Sequence, residues 1–441
     1  MWKPEWEIAC NHTATCGLTG AASFFSSIPG SFVLVNGPLW CYFYAMKYVV
    51  DQDETAMNRF ACTQISPASL VYGTENDLKK SFASIQKMGK FERVFVENNC
   101  SVSLIGDDVS GIAAAQNLPW PVYAADAGGL QGDFAAGWQQ AFSRVLDEMK
   151  PAPQVKHRVN VLGLSLSDLQ GQENARELRR LLEAAGLEVQ AIPGAGSSWE
   201  AILAMPSAEL NIVVRPELAG QAAERMEKAF HVPYLVAGLP AGVDGTLRWL
   251  RSIQKALPAM ELSFAEQEAA ALKRHLDHRS GNLRSLWGQL WFDEILIAAW
   301  PSDAAAVAEA VRGEWADTAK LVVHQQEPSE RAIPAADVIR TVHTDDAAIE
   351  EDLQEWQGGL LLASSHEATR FARLGKSAQF IPIARPVYNE LFADATPIYG
   401  FSGAARLLER LFHARIAEKS GTKSVESNPR VPLILALNLP Q

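Results

Sequence analysis

Three cysteines in the first part of the chain stand in settings that place thiols at turns and strand ends. Cys16 lies in Thr-Cys-Gly-Leu-Thr-Gly, Cys41 closes Gly-Pro-Leu-Trp-Cys, and Cys100 follows a strand-like run at residues 93–97. Loops at strand ends can gather residues that are distant in sequence. Because soft thiolate ligands hold iron well, three thiols gathered in this way indicate an iron–sulfur site.

The other two cysteines leave alternatives open. Cys10 lies six residues before Cys16 and is interpreted as a spare thiol, with a role as an additional ligand as the alternative. Cys62 follows Phe60 and Ala61 and is interpreted as a buried core thiol, with ligation as the alternative. All five cysteines lie in the first 100 residues. This clustering alone fits both metal binding and a set of unrelated buried thiols.

Composition limits the class of protein. The chain has 441 residues, 48% hydrophobic and 20% charged, which is typical of a globular protein of several domains. A formal net charge of −12 disfavours a nucleic-acid-binding protein. The start has no signal-peptide pattern, and the most apolar stretch, residues 32–50, is interrupted by polar and turn-forming residues. We therefore expect a cytoplasmic protein with reduced cysteines and no membrane segment.

Short apolar strands alternate with helical segments along the whole chain, and this order predicts parallel sheets covered by helices. In the first part we expect strands at residues 31–35, 70–73, 93–97 and 122–125, with helices between them. The predicted fold is α/β, with three Rossmann-like domains whose parallel sheets are flanked by helices. The ranges are 1–152 for the N-terminal cluster-binding domain, 153–257 for the middle domain, and 258–441 for the C-terminal domain with its polar tail.

Four motifs carry a resemblance to a known family. They are Gly37-Pro38-Leu39-Trp40-Cys41, Val71-Tyr72-Gly73-Thr74-Glu75, Cys100 with Leu104-Ile105-Gly106-Asp107-Asp108, and Pro397-Ile398-Tyr399-Gly400-Phe401-Ser402-Gly403. On these motifs the sequence resembles the nitrogenase component 1 superfamily over about residues 10–412. That superfamily includes the large nitrogenase subunits, cofactor-assembly relatives and tetrapyrrole reductases.

The resemblance implies a cofactor and partners. Cys16, Cys41 and Cys100 would be this chain's share of an iron–sulfur cluster, either 4Fe–4S or an eight-iron P-cluster type, held with a homologous or identical component 1 subunit. Electrons would come from an ATP-hydrolysing iron protein that docks over the interface, within an assembly such as a heterotetramer. The chain itself has no phosphate-cradling motif, since the glycines at residues 128–132 lack the dinucleotide spacing.

Departures from the family pattern narrow the function. The chain has no cysteine after Cys100 and no histidine around residues 381–387, where cofactor-binding nitrogenase subunits carry ligands. It therefore resembles an electron-transfer (beta-type) or tetrapyrrole-reductase-type subunit more than the cofactor-binding alpha subunit. His366 and Glu367 are interpreted as a helix start capped by Ser364 or Ser365, with substrate binding as the alternative.

The predicted function is the cluster-holding subunit of a nitrogenase-like two-component reductase, an oxidoreductase whose substrate is undetermined. It would pass electrons from the iron protein to a reductase active site. The alternatives are a scaffold for metallocluster assembly, a tetrapyrrole-reducing enzyme subunit, and a cluster-free binding protein of similar architecture.

Overall fold

The computed structural model describes residues 15–50, 55–329, 331–388 and 390–421. These residues form three sheets of parallel strands, each accompanied by helices. The sheets confirm the predicted α/β fold class. The described residues fall into two compact units, one made of residues 15–238 and 251–261, the other of residues 239–250 and 262–421. The first unit contains two of the sheets and the second unit contains the third.

The N-terminal sheet has four parallel strands in the order β2-β1-β3-β4. The strands are β1 Ser31–Asn36, β2 Phe60–Cys62, β3 Arg93–Asn98 and β4 Val122–Asp126. The helices around it are α1 Gly17–Ser26, α2 Leu39–Val50, α3 Ser69–Tyr72, α4 Glu75–Met88, α5 Cys100–Ile105, α6 Val109–Ala114 and α7 Phe134–Leu146.

Both faces of this sheet are apolar, which is why its strands read as continuous hydrophobic runs. On one face, Leu34 and Val96 pack with Phe82 of α4 in a buried cluster. On the other face, Phe95 of β3 stacks on Phe25 of α1 with their ring centroids 4.1 Å apart. Successive side chains of a strand point to opposite faces of the sheet. The face on which one residue of a strand packs therefore tells the face of the next residue.

One predicted strand is wrong. Residues 70–72 lie in a helical turn, α3, and Gly73 follows its end. Hydrogen bonds to the preceding segment favour this turn: the Ser66 hydroxyl accepts the N–H of Ser69, and the Ser66 carbonyl accepts the N–H of Leu70. The strand in this part of the sheet is instead β2, which residues 60–62 form after a 3₁₀ turn. Its three residues are too short for a period-two pattern to be visible in the sequence.

The middle sheet also has four parallel strands, in the order β6-β5-β7-β8. They are β5 Val155–Leu162, β6 Glu188–Ala191, β7 Ala208–Val213 and β8 Tyr234–Val236. The helices that follow are α8 Gly171–Ala184, α9 Trp199–Leu203, α10 Pro216–Phe230 and α11 Val243–Ala256. Hydroxyl groups join this sheet to the N-terminal helices, since Ser23 of α1 lies 2.7 Å from Ser165.

The C-terminal sheet has five parallel strands in the order β11-β10-β9-β12-β13. They are β9 Trp291–Ala299, β10 Asp317–Gln325, β11 Val338–Thr341, β12 Leu360–Ala363 and β13 Gln379–Pro382. The helices are α12 Ser263–Trp287, α13 Pro301–Ala310, α14 Asp346–Glu355, α15 Ser365–Arg373 and α16 Gly400–Lys419. No helix in the described part of the chain is long and apolar enough to cross a membrane.

Candidate metal centre

The three predicted cysteine ligands each stand where a helix begins. Cys16 is the residue before α1, Cys41 lies in the first turn of α2, and Cys100 is the first residue of α5. The first turns of these helices contain no Asp or Glu. Unpaired N–H groups at a helix start favour a negative charge, and cysteines in such places form thiolates more readily. The local structure therefore suits thiolate ligands.

Sheet topology explains why two of these cysteines meet. The chain leaves β1 for β2 on one side and returns to β3 on the other, so the carboxyl ends of β1 and β3 are neighbours. This topological switch point is where open α/β sheets bind ligands. Asn36, the last residue of β1, is paired with Asn98, the last of β3. Cys41 and Cys100 follow these two asparagines and so lie at one edge of the sheet.

Close helix packing brings Cys16 to the same edge. α1 crosses α7 so tightly that a Cβ atom at Gly20 would overlap the carbonyl oxygen of Phe134. Cys16 itself forms an isolated antiparallel bridge with Asp133, and the N–H of Gly17 donates to the carbonyl of Gly132 over 3.0 Å. The glycines of this crossing therefore fix the position of Cys16.

Two further glycines separate the cysteines. The loop after β4 runs against both Cys16 and Cys100: a Cβ atom at Gly129 would lie 3.1 Å from the Cβ of Cys16 and 3.6 Å from the Sγ of Cys100. At Gly128, a Cβ would lie 2.6 Å from the backbone nitrogen of Cys100. A side chain at Gly128 would overlap the backbone of Cys100, and one at Gly129 would require Cys16 to shift slightly, so the loop is part of the site.

A network of uncharged side chains holds the sheet edge below the thiols. The side-chain amide of Asn36 donates to Asn98 and to Thr74, each over 3.0 Å. The Thr63 hydroxyl donates to the side-chain amide oxygen of Asn36 over 3.0 Å and accepts from the N–H of Gly37 over the same distance. These bonds connect the ends of β1, β2 and β3, which fixes the backbones from which the cysteines project.

The thiols interact electrostatically. Burial raises the pKa of the Cys41 thiol; a hydrogen bond from Asn99 lowers it, and the charges of Cys16, Cys100 and Cys62 raise it. The Asn99 amide nitrogen lies 3.9 Å from the Cys41 Sγ. Cys41 is thus within electrostatic range of all three other described cysteines, none of which is in a disulfide. Such mutual repulsion between thiolates is relieved when a cation binds between them.

The donor set has the chemistry of an iron–sulfur site. Cys16 and Cys100 lie against the Gly129 loop, and Cys41 follows β1 at the same edge of the sheet. Iron–sulfur clusters are held by cysteine thiolates, which is the donor type present here. Among the described residues, no three Cys, His, Asp or Glu side chains converge on a single metal position.

Cys62 and Cys10 are the two remaining cysteines. Cys62 ends β2 at the same carboxyl edge and is partly buried, so its interpretation as a core thiol stays a prediction. Burial raises the pKa of its thiol, and a hydrogen bond from the backbone of Gln64 lowers it. Cys10 lies outside the described residues, so its interpretation stays a prediction.

A buried carboxyl group, which the sequence did not single out, lies on the central strand of the site. Glu97 of β3 is fully buried, and neither of its oxygens has a hydrogen-bond partner among the described residues. Burial raises the pKa of Glu97 well above its usual range, because the buried carboxylate would lose its hydration. Nothing in a strand sequence distinguishes this residue from an exposed glutamate at a strand end.

Large apolar side chains surround the cysteine edge in two groups. We call Leu39, Trp40 and Tyr44 the α2 face, and Val71, Tyr72 and Leu104 the α3–α5 patch. Tyr72 is 88% exposed and Leu104 is 77% exposed. Exposed apolar groups that gather around one site indicate a surface that another protein covers.

The segment with His366 has the structural role predicted for it. The Ser364 side chain and Glu367 form a capping box at the start of α15. Burial raises the pKa of Glu367 to about 7 although Ser364 and backbone N–H groups bond to it. The contacts of the capping box explain why Glu367 stands at this position, and substrate binding is not needed to explain it.

Comparisons with known proteins identify the family of the chain. A family model described as nitrogenase component 1 type oxidoreductase matches residues 16–415. The chain is 24% identical to a light-independent protochlorophyllide reductase subunit of Methylobacterium radiotolerans, over 89% of this chain and 75% of the relative. It is 27% identical to the nitrogenase molybdenum-iron protein alpha chain of Clostridium pasteurianum, over 56% of this chain and 48% of the relative.

The fold is shared with a solved structure. A nitrogenase structure titled Nitrogenase Cp1 at pH 6.5 superposes with a TM-score of 0.74 and 17% identity, covering 93% of each chain. The match of the family model extends over nearly all of the described residues and includes Cys16, Cys41 and Cys100. The chain therefore belongs to the nitrogenase component 1 type oxidoreductase family.

Proposed function

We propose that this chain is the iron–sulfur cluster-holding subunit of a nitrogenase-like two-component reductase. It accepts electrons from an ATP-hydrolysing iron protein and passes them to a reductase active site. The observation that carries the proposal is the meeting of Cys16, Cys41 and Cys100 at the switch point of the N-terminal sheet, where Cys41 is coupled to the other two thiols. Membership in an oxidoreductase family supports a redox role for this edge.

Residues of this chain would bind the cluster and position its ligands. Cys16, Cys41 and Cys100 would hold a 4Fe–4S cluster or an eight-iron cluster of the P-cluster type, and such a group supplies single-electron transfer. Asn99 donates toward the Cys41 sulfur, which favours its thiolate form. The absence of side chains at Gly128 and Gly129 lets the backbone of the loop approach Cys16 and Cys100 closely.

We infer that a homologous or identical subunit pairs over the α2 face and shares the cluster. Cys16 is exposed, and Leu39 and Trp40 beside Cys41 are about half exposed, so the edge is uncovered on this chain alone. An iron–sulfur cluster is better protected when apolar protein surface closes over it. The exposed aromatic and aliphatic groups of the α2 face have the composition of an interface core.

We assign the docking site of the iron protein to the α3–α5 patch. The sequence contains no Walker A motif, so nucleotide binding belongs to a partner. Val71, Tyr72 and Leu104 project from two short helices in contact with each other beside the cysteine edge. A transient partner that docks there would lie close to the thiols, as electron transfer requires.

Two other parts of the sequence-based interpretation are included in the proposal. The domain ranges 1–152, 153–257 and 258–441 each contain one complete sheet. We assign the protein to the cytoplasm, where thiols stay reduced, since the four described cysteines are free.

The test is iron and sulfide analysis with EPR on anaerobically purified protein. Single replacements of Cys16, Cys41 and Cys100 by Ala should each lower the iron content and the visible absorbance, because each removes a thiolate ligand. Ser101→Ala changes the neighbour of Cys100 without removing a thiol and is the matched control. Full iron content in all three cysteine variants would refute the proposal.

A tetrapyrrole-reducing enzyme is the second candidate. It is favoured by the relatives, since several of those found are named as subunits of light-independent protochlorophyllide reductase. The same cluster site would serve either substrate class. The two are distinguished by a second assay, in which this protein is first reduced with the iron protein and ATP. A porphyrin-type macrocycle or a small substrate is then added. If the macrocycle reoxidises the reduced protein and the small substrate does not, the tetrapyrrole function is assigned. Export of the cluster without any substrate-dependent reoxidation would instead identify an assembly scaffold.

A further inference from the structure

Cys62 is held against the turn that leads to Cys41. In the register of β2 and β1, Cys62 is paired with Val35, and the next residue, Thr63, donates its N–H to the Val35 carbonyl over 3.1 Å. The Thr63 hydroxyl then accepts the N–H of Gly37 over 3.0 Å. The end of β2 is thus hydrogen-bonded to the backbone just before the helix that carries Cys41.

The direction of the Cys62 side chain follows from the pleat. Ala61 packs into the cluster beneath α4, as does its partner on β1, Leu34. Successive side chains of a strand point to opposite faces, so Cys62 points to the other face. That face is the one on which Phe95 stacks against Phe25 of α1.

The helices on this face carry the predicted ligands. Cys16 stands at the start of α1 and Cys41 in the first turn of α2, and α2 contacts both α1 and β2. The Cys62 side chain therefore lies on the same side of the sheet as two of the three cysteine ligands. Its strand also ends at the same carboxyl edge.

Cys62 is only partly buried and is not in a disulfide, so its thiol is free at this edge of the sheet.

We propose that Cys62 is a fourth thiolate ligand from this chain to the iron–sulfur cluster. The inference rests on the proposed function and deepens it. Cys62 would add its thiolate to those of Cys16, Cys41 and Cys100 in the cluster that the two subunits share.

The first test uses variants of the full chain, reconstituted anaerobically with ferrous iron and sulfide. Cys62→Ala should lower the iron per chain by about a quarter or more, since one iron loses its ligand, and should change the EPR signal. Cys41→Ala is the reference for loss of a ligand. A Cys62→Ala protein with full iron and an unchanged EPR signal, beside an iron-depleted Cys41→Ala protein, overturns the inference and leaves the proposed function intact. Full iron in both variants also overturns the inference, and the Cys16→Ala and Cys100→Ala variants then decide whether the proposed function stands.

A second test needs no variant and so does not depend on folding of a mutant. Wild-type protein is treated with iodoacetamide before and after reconstitution, and alkylation of each cysteine is followed by mass spectrometry. Ligation predicts that loading protects Cys62 together with Cys41 and Cys100. If Cys62 is alkylated at the same rate in both states while Cys41 is protected, Cys62 is not a ligand.

Discussion

Asn99 donates its side-chain amide to the sulfur of Cys41 over 3.9 Å, although 58 residues separate them in the chain. The other end of the same side chain accepts the N–H of Val102 over 3.0 Å and caps α5, the helix that begins with Cys100. One residue thus joins the settings of two predicted ligands. A substitution of Asn99 that keeps a side-chain oxygen changes the surroundings of the Cys41 thiol and leaves the cap of α5 in place.

Replacement of Asn99 by Asp should weaken cluster binding roughly tenfold, because a carboxylate near Cys41 disfavours its thiolate by about one pKa unit or more. Asp still caps the helix, so the free energy of unfolding of the cluster-free protein should change little. Asn99→Ser is the matched control, since it keeps a capping oxygen without adding charge. Iron titration at several pH values measures the effect. Equal iron affinity in the Asp and Ser variants would show that the charge beside Cys41 does not matter.

Methyl groups added at the glycine loop should separate cluster binding from folding. Gly128→Ala places a Cβ 2.6 Å from the backbone of Cys100, which cannot move away easily, so it should lower the urea midpoint. Gly129→Ala meets side-chain atoms of Cys16 and Cys100 at 3.1 and 3.6 Å, so it should reduce iron content with a smaller loss of stability.

Gly220→Ala is the control for the glycine series. Gly220 lies in the helix α10, and its added Cβ would meet Pro216 at an ordinary 3.6 Å. Alanine there should leave iron content unchanged and stabilise the helix by about 0.5–1 kcal/mol. If all three glycine variants bound iron equally, the loop would have no part in the site.

Tyr72→Ala should weaken docking of the iron protein without affecting the cluster. The side chain is 88% exposed, so its removal costs the isolated chain little, while loss of an interface aromatic commonly costs about 1 kcal/mol or more, roughly fivefold in affinity. The measurement is the concentration of iron protein that gives half-maximal ATP-dependent reduction. Leu391→Ala removes an equally exposed apolar residue of the C-terminal sheet's unit and serves as the control. An unchanged half-maximal concentration for Tyr72→Ala would exclude the α3–α5 patch as the docking site.

Glu97 should make the stability of the cluster-free protein fall as the pH rises. Because the folded pKa is raised above the usual 4.5, the folded state holds a proton that the unfolded state releases above that pH. The free energy of unfolding therefore decreases from about pH 4.5 up to the folded pKa. Glu97→Gln removes this dependence, and urea unfolding at pH 5 to 8 measures it. The exposed Glu75→Gln is the control, and an identical pH slope in wild type and Glu97→Gln would contradict the prediction.

The alternation of strands and helices was sufficient to predict the α/β fold, because buried parallel strands are apolar on both faces and stand out in sequence. The same reasoning failed at residues 70–73, where an apolar run is exposed on a helical turn. Apolar content alone could not separate a buried strand from a surface patch. β2 was not predicted because a strand of three residues is too short to show a period-two alternation of apolar and polar residues.

The site was predictable only in part. Cysteine is a chemically distinctive residue, so Cys16, Cys41 and Cys100 could be proposed from sequence, and their role remains a proposal. Asn99 and Glu97 are ordinary polar residues in sequence, and their importance follows from contacts or burial that only the folded chain shows. The place of Cys62 depends on strand register, which a three-residue strand does not specify on its own.

The bridge between Cys16 and Asp133 has a consequence for biosynthesis. Every group described at the cysteine edge, from Cys16 to Asp133, precedes Val155, where the first strand of the middle sheet begins. Ribosomes release the chain from its N-terminus, and N-terminal domains fold first during translation. The thiols therefore emerge and come together while about two thirds of the protein is still being translated. The proposed cluster site can therefore form before the middle and C-terminal sheets have been made.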